Sequence, residues 1–573
     1  MSVRNGTSIS LLHPGSEAEY KTMSDTTVHD LGIDSITSKI TDDPKQQQMI
    51  IRVLSKMSSD DNVARYRQEV FDDIYNLPDI REKLLDLMNQ IDYLKDYGTW
   101  RKNAEEKPGL WDLMHRLDEL KTYIKCVEDI RECLDDPRIK SRGLKDLHEY
   151  MNSLYSDAKF AEMKKDIESL NTDASSIQSV TIGINVNSRF EVESLGLVSV
   201  NAKPFKKSGI VSNFADAIAS KDKLNKDSDW DGDLRFDPAD SPEKDSFIDK
   251  LDKTANAMAK QSVPMLGADA TLAKIPDGDG SAGSTFYLSN VASKLMSHLV
   301  KKLRSSLSAY SDISIVTISK LIPELIYYIN FAEFIKKARD KGMHFCKAEP
   351  VDSSSEVRMN AKGFYNLKLA SSLDSFDEVV DNDLVFDTDH VIYLLTGANR
   401  GGKTTLTQAA GLLFALAQGG IYVPADEFKF IPVDMIFTHF PADEDKTMDL
   451  GRLGEECVRF KDIFNEATSS SLILLNESFS TTSFEEGYYI AEDSVRALRV
   501  RNIRTIYNTH MHKLAENAKT LGASSIVMAS EDGTRSYKVI EKAPEGSSYA
   551  HDIAVKYGVT YDMLTKDQAG TDE

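Results

Sequence analysis

A glycine-rich segment in the C-terminal half contains the residues best suited to chemistry. Residues 397–404 read Gly-Ala-Asn-Arg-Gly-Gly-Lys-Thr, which matches the pattern G-x-x-x-x-G-K-[ST]. In such a loop, backbone N–H groups turn towards phosphate oxygens, and the dipole of the following helix attracts the same anion. Lys403 would reach the β- and γ-phosphates, and Thr404 would ligate Mg²⁺. The pattern predicts that ATP and Mg²⁺ are bound by the following residues: Gly397, Ala398, Asn399, Arg400, Gly401, Gly402, Lys403, Thr404 and Thr405.

A second candidate group follows about seventy residues later, where an apolar run ends in Asn476 and Glu477. The first of these positions normally carries an acid that holds Mg²⁺ directly or through water. Asn476 is neutral, so it can hydrogen-bond a magnesium-bound water but adds no charge. Glu477 is placed to orient or deprotonate the attacking water and to meet the metal through water. We therefore expect weaker Mg²⁺ binding and slower hydrolysis.

A histidine completes the set of candidate catalytic residues, Lys403, Glu477 and His510. The strand-like run 503–508 ends in Thr509 and His510. A histidine at the end of a strand beside a nucleotide can hydrogen-bond the γ-phosphate, and its order after the other two motifs favours this role. A purely structural histidine is the alternative.

The surrounding pattern supplies elements that could position these residues. The run Val391–Leu395 predicts a strand before the loop, and Leu406, Leu413 and Leu416 predict a helix after it. From about residue 360 onward, strands alternate with helices, which is typical of an α/β domain with a largely parallel sheet. Upstream, helical patterning covers about 46–170 and returns over about 285–343.

A change of period separates the two helical regions. Residues 180–186 alternate between apolar and polar types, which predicts a strand, and 195–200 could pair with it. The stretch 203–284 is polar and predicts a solvated, flexible insertion. It contains the start of a calcium-loop pattern at Asp227–Asp233, but Pro238 stands where the loop needs a bidentate glutamate. Calcium binding is therefore not expected.

Composition limits the possible environments. The chain has 573 residues and a formal net charge of −22, which argues against broad non-specific attraction to nucleic acid, although a local basic stripe could still bind it. The sequence has no apolar run long enough to span a membrane, and its first residues lack the apolar core of a signal peptide. No two of the four cysteines have C-x-x-C spacing. We expect a cytoplasmic protein without structural zinc or disulfides, in which Cys126 and Cys133 are core residues.

Several motifs in order resemble those of the DNA mismatch-repair MutS family, whose ATPase domain is of the ABC type. The segment 396–404 resembles T-G-P-N-M-G-G-K-[ST], and 420–425 resembles G-x-Y-V-P-A. The segment 436–439 resembles I-F-T-R, 476–487 resembles D-E-L-G-R-G-T-S-T-x-D-G, and 508–510 resembles A-T-H. The detailed resemblance covers roughly residues 345–560.

The resemblance implies a multidomain architecture with a C-terminal α/β P-loop ATPase domain. The segments are a polar lead-in (1–45), the first part of a helical core or lever (46–170), a strand-bearing, clamp-like insertion with a flexible acidic stretch (171–284), the second part of the core (285–345) and the ATPase domain (346–573). The mismatch-recognition domain with its Phe-x-Glu wedge is not recognisable, which suggests a shorter MutS-like protein.

The resemblance also implies further site residues. Asn382 keeps its family position as a nucleotide-binding residue, whereas the aromatic residue that stacks on adenine corresponds to Val379 or Val380. The family's S-T-F stretch, which reaches the partner's nucleotide, falls near Gly451–Gly454, where no serine stands. Glu456 matches the acidic residue that follows.

Two functions remain open at this stage. The first is a dimeric ATPase clamp that acts on mismatched or branched DNA in repair or recombination, as a homodimer or with a MutS-like paralogue. The second is a nucleotide-dependent protein-interaction module with weak hydrolysis and no DNA role. The neutral Asn476 and the acidic net charge favour the second.

Overall fold

The computed structural model describes residues 9–15, 20–98, 110–174, 179–186, 188–189, 192–201, 272–274, 297–310, 316–373, 375–398, 400–441, 451–531, 534–544, 555 and 557–565. Contacts divide the chain into two compact units. The first comprises Met1–Asp86, Glu132–Tyr150 and Lys320–Glu573, and the second comprises Leu87–Arg131 and Met151–Ser319. Among the described helices, none has the length and apolarity required to cross a membrane. The candidate calcium loop at Asp227–Asp233 lies outside the described residues.

The N-terminal region is largely helical. Its elements are β1 (Lys21–Thr22), α1 (Asp25–Leu31), α2 (Ile33–Ile40), α3 (Pro44–Leu54), β2 (Lys56–Met57), α4 (Asp61–Asn76), α5 (Pro78–Gly98), α6 (Leu110–Leu134), α7 (Arg142–Tyr155) and α8 (Ala158–Ala174). Helices α1 and α2 lie in the stretch that was expected to be a weakly patterned lead-in. Ser24 caps the start of α1, and Gly32, in a left-handed conformation, separates α1 from α2. Because each helix has only about two turns, its apolar residues do not repeat often enough to show a helical periodicity in the sequence.

The predicted helical patterning over this region is confirmed, and its apolar face is well seen in α6. Leu117, Leu120 and Val127 are fully buried on α6, and Cys126 and Cys133 are buried there as predicted. Such spacing places apolar side chains on one face of a helix, where burial removes them from water.

The expected strand pair also forms. Strand β3 (Ser179–Val186) pairs antiparallel with β4 (Val192–Asn201), and β4 pairs antiparallel with β5 (Leu272–Lys274). Helices then return as α9 (Ser297–Ser308), α10 (Val316–Ser319) and α11 (Ile322–Asp340). Pro323 stands in the first turn of α11, so the proline coincides with the break between α10 and α11.

The C-terminal region contains two sheets among its described residues. Its strands are β6 (Glu349–Pro350), β7 (Met359–Phe364), β8 (Asn382–Phe386), β9 (Ile392–Thr396), β10 (Glu427–Phe430), β11 (Ile436–His439), β12 (Leu472–Asn476), β13 (Arg504–Asn508), β14 (Ser524–Glu531) and β15 (Thr534–Glu541). Its helices are α12 (Leu367–Ala370), α13 (Lys403–Gln418), α14 (Gly451–Glu466), α15 (Phe484–Val500), α16 (His512–Glu516) and α17 (Tyr561–Thr565).

The larger sheet has the described strand order β11-β12-β13-β9-β14-β15. Its neighbours run parallel except β14 and β15, so the predicted, largely parallel sheet is confirmed. A smaller mixed sheet has the order β6-β10-β7-β8. Strands β9, β12 and β13 are buried along their whole length, as expected for the centre of a sheet covered on both faces.

Helix α13 is buried on nearly all sides within the first unit. A methyl group on its Gly411 would lie 2.4 Å from Leu31 of α1 and 2.8 Å from Leu474 of β12, so glycine permits the close approach of both elements. The N-terminal α4 also contacts α13. The helix that follows the glycine-rich loop is therefore packed between the sheet and the N-terminal helices.

Candidate functional site

Three neighbouring parallel strands bring the predicted site residues to one edge of the sheet. Strand β13 lies between β12 and β9, with Asn476 opposite Asn508 and Asn508 opposite Leu395. Because parallel strands share the edge at which they end, the loops after all three strands meet there. The glycine-rich loop, Glu477 and His510 are close together for this reason.

The loop after β9 has the backbone conformation that its glycines allow. Gly397 and Gly402 have φ values of 138° and 93°, and Arg400 has a left-handed φ of 59°. The Gly401 N–H donates to the Ala398 carbonyl at 3.0 Å, which closes the turn. Asn399 lies outside the described residues. Side chains at the two glycines would be strained, so the loop depends on them.

Lys403 begins α13 and is 5% exposed. Its Nζ donates to the carbonyl oxygens of Gly397 and Ala398, each at 3.1 Å. Burial lowers the pKa of the ammonium group, and the nearby Glu477 carboxylate partly offsets this. The charge of Lys403 is thus held over the loop by two backbone acceptors.

Thr404 contacts a buried cluster of two amides. Its hydroxyl donates to Asn476 Oδ1 at 3.0 Å, and Asn508 Nδ2 lies 3.4 Å from the same hydroxyl. Asn508 Nδ2 also donates to Asn476 Oδ1, whereas the buried Asn508 Oδ1 has no hydrogen-bond partner among the residues that the structure describes. Two neutral amides, rather than a carboxylate, therefore lie beside the Thr404 hydroxyl.

Glu477 follows β12 with a left-handed φ of 52°. Its N–H donates to the Asn508 carbonyl at 2.8 Å, and its Oε1 lies 2.8 Å from Nε2 of His510. The hydrogen bond to His510 is the main cause of the lowered pKa of Glu477, and the charge of Lys403 acts in the same direction. The carboxylate is therefore ionised at neutral pH, as a group that activates water must be.

A cavity of about 550 Å³ opens beside these residues. The predicted residues that line it are Asn382, Arg400, Gly401, Gly402, Lys403, Thr404, Thr405 and Glu477. The other described residues of the set contact the lining without being part of it. The carbonyl oxygens of Gly397 and Ala398 contact Lys403, Asn476 contacts Thr404, and His510 contacts Glu477. The structure thus brings together the described residues of the predicted set.

The cavity is also lined by aromatic residues that the sequence motifs did not indicate, which are Phe364, Tyr365 and Tyr537. Tyr537 of β15 lines the cavity with a left-handed φ of 56°, and a methyl group on Gly402 would lie 3.3 Å from its ring. Val380 also lines it but offers no aromatic face. Asn382 donates to the Tyr537 carbonyl at 3.2 Å and accepts from the Val539 N–H at 2.7 Å, so it braces the strand that carries Tyr537.

Two family models match the chain. A model of MutS domain V matches residues 393–569, which include the strands that build this site, and a model of the MutS2 N-terminal domain matches residues 59–339. This chain belongs to the MutS family. The motif resemblance is thereby confirmed, and the helical region and the C-terminal α/β region each match a part of that family.

Curated relatives of this MutS-family chain cover only part of it. The DNA mismatch repair protein MutS of Chlorobium phaeobacteroides is 30% identical over 247 residues, 41% of this chain and 27% of that protein. Endonuclease MutS2 of Bacillus velezensis is 30% identical over 206 residues, 35% and 26% of the two chains. The DNA mismatch repair protein MutS of Syntrophomonas wolfei is 33% identical over 174 residues, 30% and 20%. The matched part of this chain spans no more than about a third of its first curated relatives.

The family's segment I-F-T-R ends here in His439, which is buried. Its Nδ1 lies 2.6 Å from the Ser478 hydroxyl, and its Nε2 lies 3.1 Å from the Glu456 carbonyl. A carbonyl only accepts, so Nε2 carries the proton and Nδ1 accepts from Ser478. Burial, with the nearby Arg459, lowers the pKa of His439 to about 4. The imidazole is therefore neutral at physiological pH.

Through Glu456, this MutS-family chain connects the Gly451–Gly454 stretch to the loop after β12. That stretch is the first turn of α14, and the Glu456 carboxylate accepts from the N–H of Phe479. Phe479 also has a left-handed φ, of 63°. The sequence could not show this link, since it depends on two segments that are separate in the chain.

The donor set at the edge of the sheet fits Mg²⁺. This ion prefers oxygen ligands. The Thr404 hydroxyl donates its hydrogen to Asn476 and accepts from Asn508 Nδ2 at 3.4 Å, which leaves one lone pair available to a cation. The ionised Glu477 carboxylate lines the same cavity as Thr404, so both side chains can offer oxygen to the ion.

Proposed function

We propose that this chain binds ATP with Mg²⁺ at the 397–404 loop and hydrolyses it as the motor of a DNA-acting protein of the MutS family. The observation that carries the proposal is the meeting of Lys403, Thr404 and Glu477 around one cavity of about 550 Å³. This is a suitable volume for a small-molecule ligand. The family match makes ATP a plausible ligand, whereas the roles of the individual residues are proposed from their geometry.

The residues suggest a division of labour for in-line attack of water on the γ-phosphate. Lys403 would neutralise charge on the phosphates, and the loop N–H groups would hold their oxygens. Glu477 would orient the water or accept its proton, while His510 lowers the pKa of this carboxyl group and would sense the γ-phosphate. Mg²⁺, when bound through Thr404, would supply Lewis-acid stabilisation of the same phosphates. The ring of Tyr537 offers a face for the base, in place of the aromatic residue missing at 379–380.

The proposed DNA role rests on the family and on the names of its relatives. Two of the three relatives above are named for DNA mismatch repair, and the third is named an endonuclease. We propose a dimeric clamp on mismatched or branched DNA, in which Gly451–Gly454 of one copy faces the nucleotide of the other. Small residues there would let backbone N–H groups approach a phosphate.

A nucleotide-dependent interaction module without a DNA role is the second candidate. The neutral Asn476 beside Thr404 and the net charge of −22 favour it. Both candidates require ATP binding, so they differ only in what the nucleotide controls.

The deciding experiment measures phosphate release with and without a panel of duplex, mismatched and branched DNA, together with gel shifts at low salt. We expect DNA-stimulated turnover by the wild type and none by Lys403→Ala. ATP binding without any DNA retention at low salt would instead support the interaction module. Retention that weakens steeply with salt would support the clamp.

A further inference from the structure

Asn508 is a buried residue that no part of the proposed mechanism uses. It lies at the end of β13 directly opposite Asn476 on β12, and it is 0% exposed. Its Nδ2 contacts both Asn476 Oδ1 and, at 3.4 Å, the Thr404 hydroxyl. The motif resemblance assigns alanine to this position, so the second amide accompanies the unusual Asn476 in this chain.

An asparagine beside a metal has a problem of orientation that an aspartate does not have. The two carboxylate oxygens of aspartate both accept hydrogen bonds and both attract a cation. An asparagine presents either Oδ1 or the NH₂ group, depending on how its amide is turned. If Asn476 turned its NH₂ group towards Thr404, the hydroxyl would have to accept from it. Because this hydroxyl already accepts from Asn508 Nδ2 at 3.4 Å, both of its lone pairs would then be occupied, and a positive dipole would face the metal position.

The observed contacts select the useful orientation. Asn476 Oδ1 receives the hydroxyl of Thr404 and also the Nδ2 of Asn508. Turning the Asn476 amide alone would place its NH₂ group against the NH₂ group of Asn508 and break both hydrogen bonds, so the two amides can turn only together. Asn508 Oδ1 is buried and has no partner among the described residues, so the contacts of this amide are made through its Nδ2.

We propose that Asn508 is a positioning residue that fixes the Asn476 amide with its oxygen towards Thr404, so that two neutral amides replace one acidic residue at the Mg²⁺ site. The inference rests on the proposed function, since it concerns the same nucleotide site. It also states a dependence between two positions: Asn508 matters because residue 476 is an asparagine. With aspartate at 476, both oxygens are equivalent and no orientation has to be selected.

The test is a double-mutant cycle read by nucleotide binding rather than by turnover. Wild type, Asn508→Ala, Asn476→Asp and the double variant are titrated with a fluorescent N-methylanthraniloyl derivative of ATP, with Mg²⁺ varied and with EDTA. We expect Asn508→Ala to lower Mg²⁺ affinity about tenfold in the wild-type background, the usual size for loss of a residue that orients a metal site. In the Asn476→Asp background we expect a change of less than about twofold, so the two effects are not additive. Affinity in EDTA should be unchanged.

Controls separate the inference from folding and from the proposed function. Thr505→Val lies on the same strand, is equally buried and has its hydroxyl bonded to the Ile503 carbonyl, so it should not change Mg²⁺ dependence. Asn508→Ser serves in both backgrounds if the alanine variant does not fold, because serine also lacks the amide group. Equal losses in the two backgrounds, or no loss in either, would overturn the role of Asn508. If Lys403→Ala bound the analogue as well as wild type does, the proposed function itself would fail.

Discussion

At the scale of single residues, the site depends on how Glu477 and His510 are held. Glu477 has a left-handed backbone, fixed by its N–H bond to the Asn508 carbonyl at 2.8 Å. Non-glycine residues in this conformation cost of order 1–3 kcal/mol and are often found at functional sites. The hydrogen bond from His510 directs the carboxylate and lowers its pKa. These two features predict how hydrolysis responds to pH.

We expect His510→Ala to shift the acidic limb of the pH–rate profile to higher pH. The reaction needs ionised Glu477, so activity falls as pH drops through the pKa of this carboxyl group. The His510 hydrogen bond is the largest cause that lowers this pKa, and removing it raises the pKa. The measurement is kcat/KM for ATP against pH, with the exposed His29→Gln as control. An acidic limb that stayed in place would show that Glu477 is not the group that titrates.

Several residues of the site were predictable because their spacing along the chain is diagnostic. Lys403, Thr404 and Glu477 follow from motifs after apolar strands, and the motif order indicated His510. The roles of Asn508 and Tyr537 were not predictable, because each depends on a cross-strand neighbour or on a backbone conformation that sequence does not display. Asn508 acquires its role only through its register with Asn476.

At the scale of elements, the loop after β12 is held by β11 and α14. His439 of β11 contacts Ser478 of this loop, and Glu456 of α14 accepts from the Phe479 N–H. The sequence pattern predicted the strands, because buried parallel strands are continuous apolar runs. It could not predict that a buried histidine would join them, since a single histidine has no spacing to interpret.

We expect His439→Gln to reduce the loss of stability in mild acid. The folded protein protonates His439 only near pH 4, whereas the ordinary histidine pKa is 6.5. The unfolded chain therefore binds the extra proton between these values, and the free energy of unfolding falls as pH is lowered through this window. Glutamine can keep both hydrogen bonds without titrating. Urea unfolding at pH 7.5 and pH 5, with His29→Gln as control, measures the difference. An unchanged pH dependence in His439→Gln would refute the assignment.

The contact between α4 and the end of α13 gives a second prediction at this scale. Gly420 has φ 84°, and a methyl group there would lie 2.6 Å from the carbonyl carbon of Arg67. Arg67 is buried and donates to the Gln418 carbonyl at 2.7 Å. Gly420→Ala should therefore cost about 3 kcal/mol or more, from strained backbone and displaced α4 together.

Gly342 offers a matched control for this substitution. Its φ is 90°, but the nearest atom to an added methyl group is Phe376 Cβ at 3.8 Å, an ordinary contact. Gly342→Ala should lower the free energy of unfolding only by the strain of a left-handed alanine backbone, about 1–2 kcal/mol. Urea unfolding compares the two variants. Equal losses would mean that the contact with Arg67 does not limit the packing of α4.

At the scale of the whole molecule, the unit that holds the site draws on three separate segments, Met1–Asp86, Glu132–Tyr150 and Lys320–Glu573. The domain boundaries expected from the sequence instead divide the chain into consecutive segments, in the order of the patterns along it. Periodicity identifies a helix and its apolar face but not the distant segment that covers that face. The order of patterns along the chain therefore does not show which separate segments pack into one unit.

The proposed dimer leads to a prediction at this scale. Glu477→Gln should keep ATP binding, because Lys403 and Thr404 remain, while hydrolysis falls about 10²–10⁴-fold. ATP would then persist at the site and favour the closed pair. Light scattering after size exclusion should show twice the monomer mass with ATP and Mg²⁺, and less of it with ADP. Glu485→Gln, an exposed residue at the start of α15, is the control. A monomer under all conditions would contradict the proposed shared site.

The central claim is that ATP binds at the 397–404 loop through Lys403. The most direct measurement is equilibrium binding of ATP, by calorimetry with Mg²⁺ present, to wild type, Lys403→Ala and Lys362→Ala. Lys362 is an exposed control that pairs with Glu427 at 2.8 Å on the smaller sheet. We expect Lys403→Ala to weaken ATP binding about a hundredfold, as loss of a buried charged contact does, and Lys362→Ala to leave it unchanged. ATP affinity that survived Lys403→Ala would contradict the claim.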